Sequence, residues 1–245
     1  MKKNRFIKLA SGLLVLCLMT TCVIGATLAK YTTAGSGADT ARVAKWGVRI
    51  TAVANSAFAT QYSKQDTGYT GALSVESSSL SEKVVAPGTN GSAAQFSISG
   101  TPEVAVRLSF LMTDIEEVNL TAGTYKYTDG AEVNVPEGGY YPIKWTLNNG
   151  SADVATGTLA DIARYLGDNP VDYTPNTDLS AVRYTLSWKW DFDESGHGTH
   201  DKLDTLLGDL AAEVTGIKKG SSDIATSDYS TKVSYKLTIT ATQID

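Results

Sequence analysis

Apolar and polar residues alternate with period two along most of this chain, and that pattern predicts strands. Over 44–53, Trp46, Val48, Ile50 and Ala52 share one face, while Lys45, Arg49 and Thr51 share the other. Over 103–113, Val104, Val106, Leu108, Phe110 and Met112 stand opposite Arg107 and Ser109. Ile143, Trp145 and Leu147 alternate with Lys144 and Thr146. Val182, Tyr184, Leu186, Trp188 and Trp190 alternate with Arg183, Thr185, Ser187 and Lys189. Near the end, Val233, Tyr235, Leu237, Ile239 and Ala241 alternate with Lys232, Ser234, Lys236, Thr238 and Thr240. One apolar and one polar face per strand suits antiparallel sheets that are wet on one side.

Turn signals separate these runs. Pro87-Gly88, Asp129-Gly130 and Asn149-Gly150 each mark a reversal. The stretch 68–81 is rich in Gly and Ser and reads as a loop or a weak edge strand. Two segments change to helical spacing. Leu159, Ile162, Ala163 and Leu166 form one stripe, with Thr158 as N-cap and Gly167 as the stop. Leu203, Leu206, Leu207, Leu210 and Val214 form another, starting near Thr199 or Asp201. The fold expected is all-β: an antiparallel jelly-roll-like β-sandwich with two short helical insertions. Trp46, Val106, Trp145, Trp188 and Tyr235 are expected to be buried between its two sheets.

The N-terminus departs from this pattern. Lys2, Lys3, Arg5 and Lys8 precede an uncharged run, and Thr27-Leu28-Ala29 places small residues where a signal peptidase reads. The run of about 20 residues is long enough to span a bilayer, but Ser11, Gly12, Thr20, Thr21 and Gly25 interrupt it. The reading is a signal peptide over 1–29, cleaved between Ala29 and Lys30. A flexible segment over 30–43 and a β-domain over 44–245 follow. The C-terminus ends on a strand-like run, so the mature protein is expected to be released or held by non-covalent contacts.

Cleavage removes both cysteines, Cys17 and Cys22, and with them any disulfide, thiol or cysteine-metal chemistry. The whole chain has 21 basic and 26 acidic residues, and losing the four basic residues of the signal leaves 17 against 26. That sign argues against nucleic acid and anionic lipid as partners, and no membrane contact is expected once the signal is gone.

Candidate chemistry is sparse. The histidines are His197 and His200, three apart in one loop. There is no G-x-S-x-G elbow, no H-E-x-x-H and no phosphate-binding glycine loop. A two-carboxylate hydrolase stays formally open, but no pair is singled out. The expectation is therefore a protein that is not an enzyme and carries no cofactor. The loop 191–201 concentrates oxygen ligands around glycines. Asp191, Asp193, Glu194 and Asp201 are its candidate calcium ligands, and a solvated acidic connection is the plainer reading. Tyr140 and Tyr141 would be the exposed aromatics of a carbohydrate-binding module.

The segments Gly25-Ala-Thr-Leu-Ala-Lys-Tyr-Thr-Thr33 and Ala41-Arg-Val-Ala-Lys-Trp-Gly-Val48 resemble the N-terminus of the TasA/camelysin family. Val85-Ala-Pro-Gly-Thr-Asn-Gly-Ser92 resembles its proline-glycine turn, and Tyr235-Lys-Leu-Thr-Ile-Thr-Ala-Thr-Gln243 its last core strand. The family comprises secreted Gram-positive proteins processed by a dedicated signal peptidase. The resemblance implies a jelly-roll fold and a place in the extracellular matrix or at the cell surface. It also implies self-association, or association with related matrix subunits, into fibres by donor-strand exchange. On that reading the donor is the segment 30–43, with Tyr31 and Val43 as its apolar anchors. The alternative is a secreted carbohydrate- or surface-binding module.

Overall fold

The structure, a computed structural model, describes residues 42–53, 58–63, 75–79, 81–191 and 198–245. Among the described residues the strands are β1 (Arg49–Val53), β2 (Gln61–Tyr62), β3 (Val75–Glu76), β4 (Asn90–Ser99), β5 (Val106–Glu116), β6 (Asn119–Leu120), β7 (Gly123–Lys126) and β8 (Glu132–Val135). They continue as β9 (Ile143–Asn148), β10 (Asp153–Gly157), β11 (Val171–Tyr173), β12 (Arg183–Trp190), β13 (Lys218–Lys219), β14 (Ser222–Asp223), β15 (Tyr229–Ser230) and β16 (Ser234–Gln243). Helix α1 spans Leu159–Asp168 and α2 spans Gly198–Ala211. The chain divides into two compact units, Met1–Val43 and Ala44–Asp245. Of the first unit only Arg42 and Val43 are described.

The expected jelly-roll-like β-sandwich is not formed. The strands make separate open sheets that neither curl nor close: β1-β4-β12-β9-β10, β11-β5-β16 and β14-β13-β7-β8, with two-stranded pieces β15-β6 and β2-β3. The correct description is a mostly-β fold of several open sheets with two short helices. Alternation fixes which face of a strand is buried, but not which strand lies beside it or whether a sheet closes. Here β12 inserts between β4 and β9, and β5 leaves that sheet to pair with β16.

The inward faces follow the alternation. Val106, Leu108, Phe110 and Met112 of β5 are buried, as are Leu186, Trp188 and Trp190 of β12 and Ile143, Trp145 and Leu147 of β9. Phe96 stacks on Tyr184 at 5.0 Å and meets Phe110 at 5.7 Å, which brings the larger sheets into one core. Trp46 does not join it. Its side chain is 40% exposed, because Gly47 turns the chain at φ +57° and regular pairing starts only at Arg49.

Helix α1 begins where the sequence places it. The Thr158 hydroxyl caps the Asp161 N–H, and the Asp161 carboxylate accepts from the Thr158 N–H, so both ends of the capping box are made. Leu159, Ile162 and Leu166 bury the apolar stripe against β5, β9 and β10. Helix α2 packs on β8 and ends at Ala211, which leaves Val214 beyond it and 44% exposed.

Candidate functional site

Strand β16 is the longest stretch of sheet edge in the described residues. It runs for ten residues and, among the described residues, pairs with β5 alone. A register shift lies between Ser234 and Lys236, and from there to Gln243 the pairing is regular. The strand carries no proline and one lysine, so it lacks most of the devices that blunt an edge.

The direction of its unpaired groups can be read from one hydrogen bond. The Ile244 N–H donates to Ala105 O at 3.0 Å. In an antiparallel pair, hydrogen-bonded residues recur at every second position. Thr238, Thr240 and Thr242 therefore direct their main-chain groups at β5. Leu237, Ile239, Ala241 and Gln243 direct theirs at the open edge. The same odd-numbered positions turn side chains inward. Tyr235 meets Trp145 at 5.9 Å, edge to face. Yet Tyr235, Leu237, Ile239 and Ala241 are only half-buried, whereas Met112, Phe110 and Leu108, the β5 partners of the last three, are buried. A further strand beside β16 would both use the main-chain groups and cover this margin of the core.

A second feature is a carboxyl group under helix α1. Glu117, between β5 and β6, is 8% exposed. Both of its oxygens accept from the Leu159 N–H, at 3.1 Å each, at the first residue of the helix. Burial pushes its pKa up to about 7. The Leu159 N–H and the nearby Trp145 indole partly offset that rise, and Asp161 adds to it. The Trp145 Nε1 is fully buried and reaches no acceptor in hydrogen-bonding geometry. The arrangement caps a helix, because the carboxyl takes the first N–H of α1, which has no partner inside the helix.

No protein-family model, curated protein or solved structure matches this chain.

Several of the residues singled out from sequence, Ala29, Lys30, Tyr31, Asp193 and Glu194, fall outside the described residues. Val43 is 91% exposed. Asp191 ends up beside Lys189 in an ion pair of 3.0 Å, both half exposed. Asp201 sits in the first turn of α2, on an acidic groove it shares with Asp129, Glu132 and Asp209. Among the described residues, no three His, Cys, Asp or Glu side chains gather closely enough to hold a metal ion. Tyr140 is no exposed platform, because its hydroxyl donates to Asp204 Oδ1 at 2.7 Å, beside the Trp190 indole at 3.1 Å. Burial raises the pKa of Asp204, and those two bonds partly offset it. No helix among the described residues is long and apolar enough to cross a membrane.

Sequence reasoning missed Glu117 and the Tyr184 cleft described below. Glu117 sits in a corner between strands, where no periodicity marks it. The parity of β16 was legible in its alternation, but that its outer side is unpartnered was not.

Proposed function

We propose that this chain is a secreted structural protein of the extracellular matrix or cell surface, whose copies assemble by adding a strand to the β16 edge. The single observation that carries the reading is that edge: regular, nearly free of charge, unpaired among the described residues and bordered by half-covered apolar side chains. Strand addition draws its affinity from main-chain hydrogen bonds and its specificity from alternate side chains.

The donor is the segment 30–43 of a second copy. It is longer than β16, and as an extended strand its odd positions place Tyr31, Ala41 and Val43 on one face. In the register that turns this face inward, Tyr31, Ala41 and Val43 continue the margin formed by Leu237, Ile239 and Ala241, with Thr33 and Asp39 on the same face. Its many small residues ask little of the acceptor. The likeness of the signal region and the last strand to the TasA/camelysin family supports the same reading from sequence.

The test compares protein starting at Lys30 with protein starting at Ala44, both concentrated and followed by light scattering and electron microscopy. The expected result is fibres from the longer form alone. Equal polymerisation by both forms would remove the donor role.

A further inference from the structure

A cleft of about 540 Å³ opens at the far end of α1, within the range of about 300–1,000 Å³ usual for small-molecule sites. Tyr165 and Asn169 come from the end of α1, Tyr173 from β11, Asp178 from the connection that follows, Tyr184 from β12 and Asn149 from the turn between β9 and β10. Five separate stretches of chain thus converge on one space.

The three phenols are what single it out. Tyr184 is 9% exposed and held rigidly, stacked on Phe96 at 5.0 Å and against Phe110 at 5.2 Å. Tyr165, Tyr173 and Tyr184 all line the one cleft, and burial raises the pKa of Tyr184, with Tyr173 and Tyr165 raising it further. Among the described residues none of these hydroxyls is engaged by another side chain or main-chain group. None of the three hydroxyls is itself fully buried, so all three open to the space of the cleft, where a ligand hydroxyl could replace water. The amides add more capacity. Asn169 uses its Nδ2 on Tyr165 O, which leaves its oxygen, and Asn149 uses its Oδ1 on Ser151 and Ala152, which leaves its Nδ2.

We propose that this cleft binds a neutral glycosyl unit. A sugar ring offers an apolar face to a tyrosine ring and hydroxyls that both donate and accept, which matches unpaired phenols, an amide oxygen and an amide N–H. Among the described residues no lysine or arginine lines the cleft, so they offer a phosphate or a uronic acid no countercharge. The carboxylate of Asp178, held below its usual range by the Ser180 N–H, accepts from a sugar hydroxyl and repels an anion. The cleft is lined from β5, α1, β11 and β12, with no lining residue from β16 among the described residues, and the inference does not depend on how copies assemble.

The experiment titrates the purified full chain with neutral monosaccharides and their short linear oligomers, by calorimetry and by NMR of the tyrosine rings. The expected result is saturable binding of at least one neutral sugar. Tighter binding of the oligomer by about tenfold or more identifies a polysaccharide as the source, and equal binding identifies a free sugar. Tyr173→Phe and Tyr184→Phe keep the rings and remove one hydroxyl each, and each weakens binding by about tenfold, the value of one well-placed hydrogen bond. Thermal unfolding of each variant separates this loss from misfolding. No saturable signal from any neutral sugar up to about 10 mM would overturn the proposal. So would undiminished binding in the double variant, or preference for an anionic sugar or a quaternary ammonium ion.

Discussion

Replacing Glu117 by glutamine should change how stability depends on pH, because the carboxyl is buried beneath the first turn of α1. In the unfolded chain Glu117 titrates near 4.5, and in the folded chain near 7. Below pH 4.5 both states hold the proton and the native state carries no penalty. Between 4.5 and 7 the unfolded chain releases its proton while the native chain keeps it, so stability falls as pH rises. Above about 7 the native carboxyl is ionised too, and the loss is complete. At about 1.4 kcal/mol per unit, the fall amounts to about 3 kcal/mol. Asp161, Asp172, Asp178 and Asp228 are held low by their partners, so their contributions fade only as pH drops below their ordinary 3.8. Asp204 is held high by burial and acts in the same direction as Glu117, but it is common to both proteins. Urea unfolding of the wild type and of Glu117→Gln, at steps from about pH 4 to about pH 8, isolates the one group. The wild type should lose ground on the variant through that window, and parallel profiles would refute a buried, protonatable Glu117.

Three further outcomes test the fold and the edge. Ala241→Pro removes an N–H that points away from β5, so it should leave folding intact and abolish assembly, whereas Thr240→Pro should unfold the β16–β5 pairing; circular dichroism and light scattering distinguish the two. Trp188→Ala, at a ring 2% exposed and packed on Tyr62 at 6.2 Å, should cost about 3–5 kcal/mol in denaturant unfolding. Gly100→Ala should destabilise by more than about 1 kcal/mol in the same assay, because Gly100 lies at φ +118° and a Cβ there collides with the Gly47 carbonyl oxygen.

Much of the local structure was legible because it rests on local chemistry. The faces of β5, β9, β12 and β16 follow from strict alternation, and Thr158 announces the start of α1 through its capping box with Asp161. What failed depended on long-range placement. The jelly-roll closure was inferred from many short strands, but pairing places β12 between β4 and β9, and the larger sheets remain open. Trp46 kept the alternation of its neighbours on paper, and Gly47 broke it with a positive φ. The acidic loop is described only at its ends, where Asp191 pairs with Lys189 and Asp201 lines the groove beside α2. The tyrosine cleft was invisible because its residues are separated by up to 74 positions, from Phe110 to Tyr184, and meet only when β5, α1 and β11 come together with β12.

Residue-resolved amide hydrogen exchange along β16 tests strand addition most directly. In the unassembled protein, the amides of Thr238, Thr240, Thr242 and Ile244 should be protected by β5, while those of Leu237, Ile239, Ala241 and Gln243 should exchange fast. On assembly the second set should become protected as well, with the first set unchanged. Protection of both sets before assembly, or continued fast exchange at Leu237, Ile239 and Ala241 within the fibres, would contradict assembly at this edge.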